Sequence, residues 1–451
     1  MDEIIKLYKP GMTPEKLANA VFRATMGDKK PSLPINPFSL MKKFGVIYQF
    51  MDFKGLEGIY IVPEDEEDIP MVGINISRPI TRQRYTAAHE LCHHLKDGVS
   101  EICEINSSKY IERYAEKFAA ELLMPKDILR TEVNKYLKNG LISLDDVLLI
   151  SDLFGVSFRA CAYRIAYSLG CLDGDTDPKI LNKRITKYKP DVRKQKIGLE
   201  KESTTLLRQA FDDYEFYFQL DEKAFWYKFK ADFIYNENRM EGVQISREEV
   251  DEILADLRLN KQKSEFCKEP YQNIIEVLGH SEIYDFILET DSTPSIYSIL
   301  SLNKQLFQYA PFPEEAGKTR TTNNSISGAA VETVDFHDIA TELFKLTDPV
   351  NELVSNPTDF SMSQYLLQTI WIHHRITQIH PFCDGNGRAS RALMNWMLKY
   401  KKMPPFYIEY EDKNLYYDAL EKADVEQNYT DLLKLFMKEI IKTSIRINQG
   451  K

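Results

Sequence analysis

Between two stretches of helical pattern lies a turn that leaves this chain few choices, Asp384-Gly385-Asn386-Gly387. Before it, Leu366, Leu367, Ile370, Trp371 and His374 recur at near-helical spacing as far as Gln378; after it, Ala392, Leu393, Trp396 and Met397 do the same. Gly and Asn reach left-handed backbone conformations at little cost, so the segment is predicted to fold as helix, tight turn, helix. The first N–H groups of the second helix have no partner inside it and carry partial positive charge, which makes the turn a cradle for phosphate. Arg388 and Arg391 are three apart, hence neighbours on one face, and add bidentate donors for phosphate oxygens. Asp384 offers a hard carboxylate to Mg2+, and His380 can take a proton near neutral pH. Base, metal ligand, anion cradle and two arginines point to a nucleotide-using transferase.

The whole run is His380-Pro381-Phe382-Cys383-Asp384-Gly385-Asn386-Gly387-Arg388-Ala389-Ser390-Arg391. It completes the pattern His-x-Phe-x-Asp-Gly-Asn-Gly-Arg-x-x-Arg and resembles the Fic (AMP-transferase) family. The resemblance implies that His380 deprotonates a target protein's Ser, Thr or Tyr hydroxyl, which attacks the α-phosphate of ATP. It also implies that Asp384 holds Mg2+, that Asn386 with the Gly385 and Gly387 backbone holds phosphates, and that Arg388 and Arg391 hold the β/γ end. Phe382 is then a buried anchor. Upstream, Glu241-Gly242 closes a helical stretch and resembles the family's inhibitory motif, Ser/Thr-x-x-x-Glu-Gly. There the glutamate pairs with the second arginine, here Arg391, and blocks the γ-phosphate. Glu237 stands at the Ser/Thr position, so the match is partial. Ala316–Arg320 and Ile326–Gly328 resemble the hairpin flap that aligns the target as an added strand.

A second constellation precedes it. In the helical pattern from Arg82 to Leu95, His89 and His93 are four apart and share a face, as two ligands of one metal must. Glu90 lies about 100° further round, close enough to act on water at the metal without ligating it. Zinc catalysis needs a third protein ligand and an open position. The next helical segment, Tyr110 to Pro125, offers Glu112 with Ala115 and Ala119 on its face, and Glu116 one turn along. These two segments resemble the ImmA/IrrE zinc peptidases, whose pattern makes Glu112 the third ligand and Glu116, where Asn or Asp is usual, the runner-up. Cys92 replaces a usual Gly and reads as packing; His94 reads as a surface or supporting group. Leu153 to Ile165 resembles that family's last helix, opened by Val156-Ser157. No helix-turn-helix module is found, so direct nucleic-acid binding is not expected.

The remaining signals set boundaries. Short β-rich runs at Gly45–Gln49, Gly58–Val62 and Met71–Ser77 are predicted strands, and Pro14–Ala24 and Phe38–Phe44 helices. The 451 residues carry a net charge of −10, six cysteines without a Cys-x-x-Cys pair, and no apolar run long enough to span a membrane. A cytoplasmic protein with free thiols and no membrane is expected. The basic stretch Lys179–Lys201 reads as a linker. Taken together, the expected fold is mostly α in two domains: an α+β, zincin-like metallopeptidase domain (1–175), a basic linker (176–200) and an all-α Fic fold with a small β-hairpin flap (201–451). The expected cofactors are Zn2+ in the first domain and Mg2+ with ATP in the second. The two resemblances together suggest a stress or toxin–antitoxin-like module whose peptidase cuts a repressor or inhibitor protein, in a chain that can form a homo-oligomer. Two alternatives stay open: a Fic site that removes AMP from a modified protein, and a non-catalytic metal- and nucleotide-binding stress regulator.

Overall fold

The computed structural model describes residues 7–27, 29–63, 68–97, 101–103, 110–172, 177–199, 204–214, 222–260, 272–311, 314–325 and 331–449. They divide into two compact units, Met1–Tyr214 and Glu215–Lys451.

In the first unit, α1 (Pro14–Met26) and α2 (Pro37–Lys43) start as their sequences dictate. Thr13 and Asn36 accept backbone N–H groups at the N-caps, and a proline stands where a helix has no N–H to lose. The strands β1 (Ile47–Met51), β2 (Gly58–Ile61), β3 (Met71–Asn75) and β4 (Glu101–Cys103) form one sheet in the order β1-β3-β2-β4. β1 and β3 run parallel, while β2 is antiparallel to both β3 and β4. Three of these strands answer the predicted β-rich runs; β4 has only three residues and too little pattern to be read beforehand.

Against the sheet lies α3 (Ile80–Lys96), with α4 (Tyr110–Leu123) packed on α3 and α1, followed by α5 (Lys126–Asn134), α6 (Leu144–Phe154) and α7 (Phe158–Arg164). Gly58 is where β2 meets α3: a Cβ there would stand 2.3 Å from Thr86 Cγ2 and 3.1 Å from Glu90 Oε1. Arg84, buried on the other side of α3, donates to the carbonyls of Ile35 and Gly155 at 2.6 and 3.0 Å. Burial lowers its pKa to about 10, and these bonds fix α3 against its neighbours.

The basic stretch folds as α8 (Pro178–Tyr188) and α9 (Pro190–Lys196) within this unit. Arg193 and Tyr188 reach Asp145, and Lys194 reaches Asp152, so part of its charge is spent on α6. The helical reading from Thr204 to Met240 divides into α10 (Thr204–Asp212) and α11 (Glu222–Met240). The chain leaves α10 where Asp213 accepts from Asn36 Nδ2 at 2.7 Å and Tyr214 packs its ring on Phe50.

The second unit is helical: α11, α12 (Arg247–Asn260), α13 (Gln272–Glu289), α14 (Ser298–Leu306), α15 (Ile339–Phe344), α16 (Thr347–Ser355), α17 (Met362–Ile379), α18 (Asn386–Tyr400), α19 (Lys413–Glu426) and α20 (Thr430–Gln449). Ser246 and Glu249 exchange the two bonds of the predicted capping box before α12. α18 is buried along nearly its whole length, and Trp226, Phe229 and Phe233 of α11 pack tilted or edge-on against Tyr284 of α13. α13 and α14 cross so closely at Gly279 that a Cβ there would lie 2.0 Å from the Leu306 carbonyl oxygen. Residues 314–325 and 331–338 run as turns, bends and irregular chain; Ile326–Gly328, the other half of the expected flap, lie outside the described residues. None of the described helices is long and apolar enough to cross a membrane.

Candidate functional site

Two concentrations of chemistry-bearing side chains stand out, one in each unit. In the first, α3 and α4 bring His89, His93 and Glu112 together as a buried cluster. His89 Nε2 lies 3.1 Å from Glu112 Oε2 and 3.1 Å from His93 Nε2, and His93 Nε2 lies 3.6 Å from Glu112 Oε1. Donor atoms around a tetrahedral zinc, each at about 2.0–2.1 Å, are about 3.4 Å apart, so these three fit one ion. Two imidazole nitrogens facing each other at 3.1 Å also need a proton or a cation between them. His93 turns its other nitrogen, Nδ1, to Asp97 at 2.9 Å, the carboxylate-behind-histidine arrangement that fixes ring and tautomer in metal sites. Burial alone would depress His93, but Asp97, Glu90 and Glu112 outweigh it and raise its pKa. Glu90 is buried beside this cluster, while Glu116 is exposed on α4 and is not part of it. His94 meets the Tyr60 hydroxyl at 2.9 Å, and Cys92 is buried with its thiol pKa pushed well up, as a packing group.

In the second unit, α17 ends at His380, whose own φ of 50° starts the reversal, and α18 begins after Gly385 at φ 76°. A Cβ on Gly385 would lie 2.7 Å from the Phe307 ring, so both conformation and space call for glycine. Phe382 is buried, and its N–H and carbonyl are tied to the Asn386 carboxamide at 2.8 and 2.9 Å. Asp384 accepts from the Gly385 N–H at 2.6 Å and from Arg388 Nη2 at 2.8 Å, leaving its side chain largely exposed. A cleft of about 600 Å3 is lined by His380, Asp384 to Arg388, Arg391, Glu241 and the Tyr416–Asp424 face of α19.

Family models match both regions: residues 41–166 match the IrrE N-terminal-like domain, and residues 294–398 match the Fic/DOC family. The chain joins an IrrE N-terminal-like domain to a Fic domain. Among its relatives, a protein adenylyltransferase Fic of Nematostella vectensis is 27% identical over 156 residues, which are 33% of this chain and 34% of that protein. A protein adenylyltransferase fic-1 of Caenorhabditis briggsae is 32% identical over 134 residues, 29% of this chain and 24% of that protein. The chain thus spans about a third or less of these relatives. Among solved structures, Fic-1 of Caenorhabditis elegans (residues 134–508) aligns at a TM-score of 0.42 and 19% identity, over 73% of this chain and 98% of that one. A Fic-domain signalling protein of Bacteroides thetaiotaomicron aligns at 0.42 and 20%, over 55% and 98%.

In the Fic domain the arginines are already occupied by carboxylates. Arg391 gives Nε and Nη2 to Glu237 at 2.6–3.0 Å, whereas Glu241 lies 3.5 Å from Arg391 and 3.9 Å from Arg388. Burial pulls the Arg391 pKa down, but the Glu237 carboxylate outweighs it and holds the guanidinium well above its ordinary value. Arg388 contacts Glu276 of α13 as well as Asp384. His380 has its pKa lowered, first by burial and then by the charge of Arg320, so the ring is neutral at neutral pH.

Several of these groups escape a reading of the sequence. Arg320 is buried and gives its guanidinium to the carbonyls of Ile379, His380, Thr322 and Val334, locking the His380 backbone. Asn303 bridges the Asp384 carbonyl and the Gly317 N–H. Glu237 was visible only as a departure from a motif. Asp97, four residues after His93, had the spacing of a supporting ligand, and that signal was available.

Proposed function

We propose that the Fic domain transfers AMP from ATP to a hydroxyl of a target protein, and that the IrrE-like domain is a zinc-dependent peptidase acting on a repressor or inhibitor protein. The observation that carries the first reading is the convergence on one cleft of a neutral imidazole, an exposed carboxylate and a helix N-terminus flanked by two arginines. His380 takes the hydroxyl proton as the oxygen bonds to the α-phosphorus; the bond from that phosphorus to the bridging oxygen breaks, and pyrophosphate leaves. The N–H groups opening α18 and the side chain of Asn386 receive phosphate oxygens, with Arg388 and Arg391 at the β/γ end. Asp384 would hold Mg2+, which supplies charge against the leaving pyrophosphate.

In the first unit His89, His93 and Glu112 would hold zinc, which supplies Lewis acidity toward water and an amide carbonyl. Glu90 stands ready to take and return a proton, and Asp97 keeps His93 aimed.

Glu241 supports two readings. At 3.5 Å from Arg391, on the cleft wall, it competes with a γ-phosphate and restrains transfer. Its half-exposed position also suits a carboxylate that orients water to remove AMP from a modified protein. Transfer of α-phosphate label from ATP to protein, by wild type, Glu241→Gly and Glu241→Gly with His380→Ala, tests both. Label that appears with the first change and disappears with the second is the expected result. No label in any variant, together with AMP release that needs Glu241, would replace transfer by the reverse reaction.

A further inference from the structure

Among the described residues, a side chain that no sequence motif includes also meets a ring nitrogen of His380. The Asn324 carboxamide places its Nδ2 3.0 Å from His380 Nδ1. Asn386 Nδ2 lies 3.2 and 3.3 Å from the two ring nitrogens, shared between them and directing neither. The two ends of a carboxamide have the same shape, so the surrounding bonds decide which end faces the ring. Here Thr333 decides. Its hydroxyl has one proton, given to the Asn324 carbonyl oxygen at 2.5 Å, and its Oγ1 lies 3.3 Å from the Asn324 side-chain oxygen. Two acceptors then face each other with no proton between them. Turning the amide by 180° puts Nδ2 on Thr333 Oγ1 as a donor and the oxygen on His380 Nδ1 as an acceptor, and both contacts are satisfied.

We infer that Asn324 is a positioning residue for His380: its carboxamide oxygen accepts the Nδ1 proton, which leaves the lone pair on Nε2. This inference rests on the transferase reading for its consequence, not for its geometry. In the transfer step the hydroxyl proton moves to Nε2, so the ring comes to carry protons on both nitrogens. The positive charge that then appears is shared with Nδ1–H and faced by the Asn324 oxygen. With the amide the other way round, Nδ1 would accept, Nε2 would carry the proton, and the ring would have no lone pair to offer a hydroxyl. Arg320 complements this from the backbone: it holds the His380 carbonyl at 2.8 Å while Asn324 holds the ring.

The test reads the tautomer directly. Selective 15N labelling of histidine in the full chain, with the His380 signals assigned through their loss in His380→Ala, should show wild-type His380 protonated at Nδ1. Asn324→Ala should shift it toward a mixture, and Asn324→Asp, an acceptor only, should restore Nδ1–H. In a Glu241→Gly background Asn324→Ala should lower kcat for transfer roughly 10-fold or more with little change in KM for ATP, and Asn324→Asp should recover most of it. A wild-type ring protonated at Nε2, or one unchanged by Asn324→Ala in a protein that melts normally, overturns the inference. The spectra stand whether or not transfer is ever detected, so failure of the transferase reading would be seen separately.

Discussion

Arg391 donates Nε and Nη2 to both carboxylate oxygens of Glu237, 2.6–3.0 Å away, and both side chains are buried. The pair joins the second turn of α18 to the last turns of α11, placing Glu241 one helical turn further along on the same rim of the cleft. One edge of the guanidinium is therefore committed before any nucleotide arrives. What Glu241 adds is a second, looser carboxylate at 3.5 Å.

The two glutamates should separate by what they break. Removing one partner of a buried ion pair costs about 3–5 kcal/mol, because the other charge is stranded. Glu237→Ala is expected to lower the melting temperature of the second unit by roughly 5 °C or more. Glu241→Gly, at a half-exposed site, should leave it within about 1 kcal/mol of wild type while raising transfer. Calorimetry of the two variants checks this, and equal melting temperatures would count against a structural pair at Glu237.

Transfer should follow the neutral form of His380. Burial and the Arg320 charge lower its pKa from the ordinary value near 6.5, so the fraction able to accept a proton is already high at neutral pH. The rate is expected to be flat above about pH 7 and to fall on acidification, with its midpoint below 6.5. Initial rates of label transfer against pH, in the Glu241→Gly protein, measure the midpoint; a value above 6.5 contradicts the assignment.

Metal analysis distinguishes the two candidate third ligands in the first unit. One zinc per chain is expected in wild type, in Glu116→Ala and in Glu90→Gln. His89→Ala, His93→Ala and Glu112→Ala should each lose most of it. Asp97→Ala should weaken zinc affinity roughly 10–100-fold while leaving the ligands intact. Retention of zinc by Glu112→Ala and its loss from Glu116→Ala would reverse the ligand choice.

Glu439 offers a pH test remote from both sites. Buried on α20 near Lys442, Glu409 and Asp412, its carboxyl is pushed up to about 8 by burial, against the pull of Lys442. Its folded pKa thus exceeds its unfolded one, so the folded state favours the protonated acid. The stability it contributes is complete below about pH 4.5 and is lost as pH rises toward 8. Glu439→Gln should raise the melting temperature by a few degrees at pH 8, an advantage that shrinks as pH falls to 5. A constant difference across that range would remove Glu439 as its cause.

The contrast between Arg391 and Asn324 shows how far a sequence carries. His89 with His93, and His380 with Asp384, Arg388 and Arg391, lie within one helix or one turn. Helical periodicity and the conformational freedom of Gly385 set their relative positions, so these groupings were legible from spacing, whereas the mostly α, two-domain class rested on the two family resemblances as well. Glu112, 23 positions from His89, became legible only because a family pattern spans that gap. The boundary near Tyr214 was not legible, because helical pattern continues on both sides of Asp213 and its bond to Asn36 is made across 177 positions. Glu237 on Arg391, Glu276 on Arg388, Arg320 on the His380 backbone and Asn324 on its ring are likewise separated by 56 to 154 positions. None repeats at a helical or strand period. Such pairings exist because burial demands that each charge and each polar hydrogen find a partner. The chain's local chemistry determined which groups gather at each candidate site, and only the packed fold decided which groups hold them in place.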